Sequence, residues 1–462
     1  MRRYVAVWVL LFAVYAATIG TDAFGTSRFG GDEPHYVLIA RSIVDDGDID
    51  LANQFAERQY TGFYAYRLAP LGHRTDGRLD EPLGVGLPLL VAPAYAAFGA
   101  SGVEVELAAI AALAFVLALA LARRLVPEPW ATAGPLAVAL SPPALAYATA
   151  VVPDMAAGAA LAGALLLGLR ARSRPRLKTA LACGAVLAML PWLGALYVVP
   201  GAVVAFALAW WMGRQHRGWF ALVGLELVLA SLVAYATANE RLFGGLVPEA
   251  AGGPLTGAHD AGDYLDRAYR LVALWIDRDY GLLRWAPVVA LAFVAAWLLW
   301  RSRRDRVARA VPDQRDVEAA ALALVLACAA QVAVAAFVVP TMFGFWFPGR
   351  FLIAVLPCAA ALVAWGLRFV PRRLAFALVL LTVAGSVWLY VQWRLGDVDW
   401  VAPSSSAPWG PLEAVFPRYG TGSAYATVVT ALVAAGALAL VLNEWRQQRA
   451  LRGMARRAFR GA

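Results

Sequence analysis

Run after run of apolar residues, each closed by a cluster of arginines, constrains this chain more than any other feature. A helix needs roughly 20 apolar residues, at about 1.5 Å each, to cross about 30 Å of hydrocarbon. Spans are expected at 4–21, 103–122, 131–150, 154–170, 178–191, 194–213, 219–238, 284–300, 317–339, 351–367, 373–391 and 424–442. Of 462 residues, 61% are apolar and 15% charged. Soluble domains run at roughly 45–50% and about 25%. A soluble core could not hide that much apolar surface, whereas in a bilayer lipid solvates the helix exteriors. The expected fold is all-α and polytopic, with about 12 transmembrane helices.

Charge sets the expected orientation. The net charge is +9. The arginines are dispersed over short inter-helix loops rather than gathered in one patch, which points away from nucleic acid and towards membrane lipids. With twelve spans both termini lie inside, and 26 of the 40 Lys and Arg fall on the cytoplasmic side. Residues 1–462 then form a single membrane domain. External segments are expected at 22–102, 239–283 and 392–423, with a basic cytoplasmic tail at 443–462, whose arginines Arg446 to Arg460 suit anionic lipid. The apolar run Leu83 to Phe98 is read as a juxtamembrane or re-entrant helix. If it spanned, every later arginine cluster would face outward. The first run follows Arg2-Arg3 and is long for a signal peptide, so it is read as an uncleaved helix. A single lysine, Lys178, among many arginines suits a GC-rich bacterial genome and so a bacterial inner or plasma membrane.

Several chemistries lack their motifs. The sequence has no GxxxxGK[ST], no GxGxxG after a strand, no HExxH and no GxSxG. Cys183, Cys328 and Cys358 sit singly in apolar runs, which gives no disulfide or metal spacing. The four histidines are His35, His73, His216 and His259. Glu226 is expected as the buried carboxylate of the spans, paired with a neighbouring helix.

The first external segment opens with Gly30-Gly31-Asp32-Glu33-Pro34-His35-Tyr36. Pro34 suits a first helical turn, and either carboxylate suits its dipole. Val37, Ala40, Ile43 and Val44 repeat with helical spacing, as in an amphipathic helix lying on the membrane. Asp45-Asp46-Gly47-Asp48-Ile49-Asp50 has too few ligand positions for a calcium loop and reads as a solvated turn. Asp154, at the outer end of a span, is a helix N-cap or a site carboxylate. Arg350, in Phe347-Pro348-Gly349-Arg350-Phe351, and Arg284, after Asp279-Tyr280-Gly281, enter spans from outside. Either can meet a phosphate or snorkel to lipid.

Taken together, these motifs resemble the GT-C superfamily of membrane glycosyltransferases, in its protein-mannosyltransferase-like and aminoarabinose-transferase-like branch. The resemblance rests on Asp32-Glu33-Pro34-His35-Tyr36, Asp46-Gly47-Asp48-Ile49-Asp50-Leu51-Ala52-Asn53, Pro153-Asp154, Asp279-Tyr280-Gly281-Leu282-Leu283, Phe343-Gly344 and Pro348-Gly349-Arg350-Phe351, in order along nearly the whole chain. It implies a polyprenyl-phosphate sugar donor and transfer to an acceptor hydroxyl on the outer face. It also implies Asp32 as catalytic base, Glu33 as its support or a ligand where a member uses a divalent metal, and Asp154 as the second acidic residue. His35, Tyr36, Tyr280, Arg284 and Arg350 become substrate-binding candidates, with Arg350 the first choice for the donor phosphate. Glu81-Pro82-Leu83-Gly84 departs from the basic or aromatic residue with paired prolines that many relatives carry there. The acceptor stays open between a glycan, a lipid and a protein.

Two other readings make different demands. A transporter or flippase of a lipid-linked substrate predicts paired broken repeats. A non-catalytic envelope protein predicts that Asp32, Glu33 and Asp154 need not converge. Separations beyond about 15 Å would favour it, since a general base works at about 3 Å.

Overall fold

The computed structural model describes every residue except 73, 76, 253–256, 259, 303–311, 401–414 and 461–462. His73, His259, most arginines between 301 and 315, part of the 392–423 segment and the tail side chains from 451 on therefore lie outside the described residues. The described chain is helical almost throughout, with one two-stranded antiparallel hairpin, Arg74–Thr75 with Arg78–Leu79.

Eight helices among the described residues are long and apolar enough to cross a membrane. They are Gly86–Ala122, Asp154–Ser173, Ala195–Gly213, Gly218–Ala250, Gln314–Val338, Arg350–Phe369, Arg372–Arg394 and Ala424–Gln447. Leu177–Leu193 and Pro287–Ser302 are shorter apolar helices. The chain is thus an all-α, multi-pass membrane protein, but several of the expected twelve spans are not single helices of spanning length. The first helix, Arg2–Ala16, has 15 residues. The expected 131–150 span divides into Trp130–Ala139 and Pro142–Thr149. Pro142 and Pro143 bring no N–H to continue the first helix, and Ser141 caps the second by accepting from the Ala144 N–H. The 284–300 span breaks likewise, at Pro287, into Leu282–Trp285, a 3₁₀ turn and Leu291–Ser302.

Burial separates centre from rim. The apolar window of Arg350–Phe369 is 89% buried and that of Asp154–Ser173 78%, against 6% for Ala424–Gln447. The two central helices carry Arg350 and Asp154 at their first positions. Small residues let helices approach closely around them, which suits a solvent where packing rather than water exclusion joins helices. A Cβ on Gly134 would lie 2.5 Å from Ala364 Cα.

The run Leu83 to Phe98 forms a helix from Gly86 that meets the following span at Gly99, whose φ of 62° and ψ of −150° are not helical. Two expectations change. The helix Glu33–Asp45 turns its apolar face to protein rather than to lipid. Val37, Leu38, Ile39 and Ala40 are all buried, and the helix packs on Gly86–Ala122 inside the protein. Glu226 is exposed, while Glu104, on Gly86–Ala122, is buried and paired.

Candidate active site

Gly31 turns the chain into the helix Glu33–Asp45 with a φ of 57°. Asp32 occupies the N-cap position but makes no capping bond. Its carboxylate instead takes a hydrogen bond and ion pair from Arg350 Nη2 at 2.9 Å. Glu33 turns the other way. Its Oε2 accepts from the Gly30 N–H and its Oε1 from the Val151 N–H, both at 2.8 Å. Burial pushes the Glu33 pKa up to about 7, although both backbone N–H groups favour the ionised form. Glu33 thereby ties the Asp32 turn to the segment that leads into Asp154.

Arg350 owes its place to backbone on three sides. Gly349 adopts a φ of 84°, where a side chain would be strained. Its N–H donates to the Tyr280 carbonyl at 3.1 Å. Tyr280 is held in turn by Asp277, whose Oδ1 accepts from the Asp279 and Tyr280 N–H groups at 2.8 and 2.7 Å. Asp277 Oδ2 accepts from the Tyr419 N–H at 2.9 Å, and burial raises its pKa. The Arg350 guanidinium stacks over Trp346 at 5.0 Å, and its Nε lies 3.9 Å from Asp154. Asp154 is the first residue of its helix, follows the N-cap Pro153 and accepts a hydrogen bond from the Tyr197 hydroxyl. One arginine thus bridges two carboxylates from distant parts of the chain. Asp32, Glu33 and Asp154 converge, Glu33 through backbone and the other two through Arg350.

A cleft of about 570 Å³ opens at this cluster, lined by Asp32, Glu33, Arg350, Tyr147, Trp346 and Trp400 among others. Tyr147 is fixed by donating to the Phe347 carbonyl at 2.7 Å. Arg28 and Glu104 form a second ion pair on its wall, and Glu104 also accepts from the Gly20 N–H at 3.2 Å. Sequence reasoning missed Arg28, Glu104, Tyr147 and Asp277. Glu104 had a signal, a carboxylate inside an apolar run; Tyr147 and Asp277 had none.

The other candidates fall outside the cleft lining. His35 is buried, with Nδ1 3.2 Å from Glu81. Glu81 also accepts from the Leu71 and Gly72 N–H groups at 2.8 and 3.0 Å, so Glu81-Pro82 closes a loop here. Tyr36 is buried behind Asp32, and burial raises its pKa. The Tyr280 hydroxyl donates to the Gly344 carbonyl at 3.0 Å and contributes to the site through its backbone. Arg284 bonds the Arg278 carbonyl, stacks over Trp285 at 5.3 Å and lines a separate cavity with Leu283, Pro287, Leu381 and Phe416. The structure therefore leaves Arg350, not Arg284, beside Asp32. The Asp45–Asp50 stretch is a stitched turn: Asp48 accepts from Ser42 and from the Asp50 N–H, and Asp50 from the Ala52 and Leu79 N–H groups.

The donor set at the cleft does not fit a metal ion. Both Glu33 oxygens are taken by N–H groups, and the Arg350 cation stands between the other two carboxylates. Among the described residues no group of three His, Cys, Asp or Glu could hold a metal.

No protein-family model matches the chain, and no curated protein matches it by sequence. Solved structures do resemble it. ArnT from Cupriavidus metallidurans in the apo state is 16% identical, over 80% of this chain and 61% of that one, with a TM-score of 0.48. The same protein bound to undecaprenyl phosphate is 14% identical over 85% and 63%, with a TM-score of 0.47. The Archaeoglobus fulgidus oligosaccharyltransferase in its apo form is 14% identical over 90% and 57%, with a TM-score of 0.43. This chain thus spans about 61% of the length of the first of these. Likeness at this level assigns no activity to the chain.

Proposed function

We propose that this chain is a membrane glycosyltransferase of the GT-C kind. It moves a sugar from a polyprenyl-phosphate donor to an acceptor hydroxyl on the outer face of a bacterial inner membrane. The observation that carries this reading is the contact of Arg350 with Asp32 and Asp154 at the edge of a cleft. An external transferase has no nucleotide sugar at hand, so a lipid-borne donor is required. Its phosphate is an adequate leaving group, whereas the acceptor hydroxyl must lose a proton as it attacks. Asp32 takes that proton. Arg350 meets the charge that grows on the phosphate.

The ion pair suggests an order of events. A carboxylate held by an arginine is a weak base. A donor phosphate entering the cleft competes for the guanidinium and frees Asp32 to accept a proton, while Asp154 keeps a second charge on Arg350. Attack opposite the phosphate then inverts the anomeric carbon. Glu33 acts as a positioning residue, because its oxygens face backbone rather than the cleft's open space.

The test is incubation of the purified protein with a panel of polyprenyl-phosphate sugars, reading release of the polyprenyl phosphate. Release by the wild type and not by Asp32→Asn supports the proposal. Movement of the intact lipid-linked sugar across a vesicle membrane without release would replace it with the transporter reading.

A further inference from the structure

A second, larger cavity lies away from the Asp32 cleft. It is a groove of about 2090 Å³ between the helices Val198–Gly213 and Pro312–Ala333, walled by Phe206, Trp210, Leu322 and Leu326. Arg172, Arg315 and Glu318 line the same groove. Arg172 sits 18 residues after Asp154 on one helix, so this charged group is roughly 27 Å from Asp154, at the other end of that helix. Glu318 is only 7% exposed, and its Oε1 has no hydrogen-bond partner. A buried carboxylate oxygen without a donor implies a ligand that supplies one.

The surrounding charges narrow that ligand. Arg172 gives Nε and Nη2 to Asp316 Oδ1 at 3.3 and 2.8 Å and stacks over Trp211 at 5.9 Å. Asp316 is itself 72% exposed, so a phosphate can share or displace it. The groove thus offers long apolar walls, Arg172 on one helix, and on the next an unsatisfied carboxylate with Arg315 one turn before it. We infer that it holds a phospholipid whose headgroup carries a phosphate and a primary ammonium two carbons apart, as in phosphatidylethanolamine. Glu318 takes the ammonium, Arg172 takes the phosphate, and the acyl chains lie against Phe206, Trp210 and Leu326. A trimethylated headgroup has no N–H to give Glu318, and a glycerol headgroup leaves its charge uncompensated. This inference does not depend on the transferase reading.

Native mass spectrometry of the whole protein, released from detergent with equimolar lipids added, tests it. The lipids are phosphatidylethanolamine, phosphatidylcholine, phosphatidylglycerol and undecaprenyl phosphate. The expected result is at least five-fold higher occupancy by phosphatidylethanolamine than by phosphatidylcholine or phosphatidylglycerol. Glu318→Gln should abolish that preference while the melting temperature in detergent stays near wild type. Arg172→Ala, chosen because the side chain is partly exposed, should lower occupancy by every phospholipid about equally. Equal occupancy by the three phospholipids, a preference that survives Glu318→Gln, or undecaprenyl phosphate displacing phosphatidylethanolamine would each overturn it.

Discussion

Arg350 Nη2 lies 2.9 Å from the Asp32 carboxylate, across 318 residues of sequence. In the proposed mechanism the pair couples the base to the cation that meets the donor phosphate, so removing either member should affect a different kinetic constant.

Asp32→Asn should reduce sugar transfer by a factor on the order of 10²–10⁴, the usual contribution of a general base. Arg350 keeps Asp154 and Trp346, so the melting temperature in detergent should change little. Release of polyprenyl phosphate at saturating donor measures the loss. Turnover close to wild type would remove Asp32 from the mechanism.

Arg350→Lys should raise the donor KM by roughly 10–100-fold, since a charge-assisted hydrogen bond contributes about 1.5–3 kcal/mol and lysine lacks the planar fork. Acceptor KM should move far less. Equal changes in both constants would indicate a role in holding the fold rather than the donor.

Gly349→Ala places a side chain at a φ of 84°, with its Cβ 2.7 Å from Leu282 Cδ1. The left-handed conformation alone costs about 1–2 kcal/mol. Arg350 is the next residue, so a shift there of about 1 Å can cost on the order of 10²-fold in rate. Thermal unfolding and turnover should therefore both fall. Unchanged turnover would show that the loop tolerates the displacement.

Glu33 should make stability depend on pH. Its folded pKa of about 7 lies above an unfolded value of about 4.3. Its protonation thus stabilises the fold fully below about pH 4.3, and this contribution is lost as pH rises through about 7. Melting temperature in detergent should fall across that window. Glu33→Gln should flatten this part of the profile. At low pH it should also lower stability by about 1–3 kcal/mol, because its NH₂ faces one of two backbone donors, and this deficit should shrink as pH rises through about 7. Parallel profiles for the two proteins would show that Glu33 does not titrate there.

Hydropathy along the chain determined that this protein lives in a bilayer as helices, and the Asp32-Glu33 motif lies where a cleft opens. Both signals are local, since an apolar run or a helix start is written in adjacent residues. Helix breaks at Pro142 and Pro287 were legible too, yet apolarity on both sides masked them. What only the tertiary structure decided is which charges meet. Arg284 and Arg350 look alike in sequence, each beside aromatic residues at the outer end of a span. Folding turns Arg284 to the Arg278 carbonyl and Arg350 to Asp32 and Asp154. Likewise Asp32 and Glu33 are neighbours with opposite tasks, because one turn of backbone at Gly31 sends one carboxylate towards the cleft and the other into the protein. Charge pairing depends on distances of a few ångströms between segments far apart in the chain, and no spacing within one segment encodes those distances.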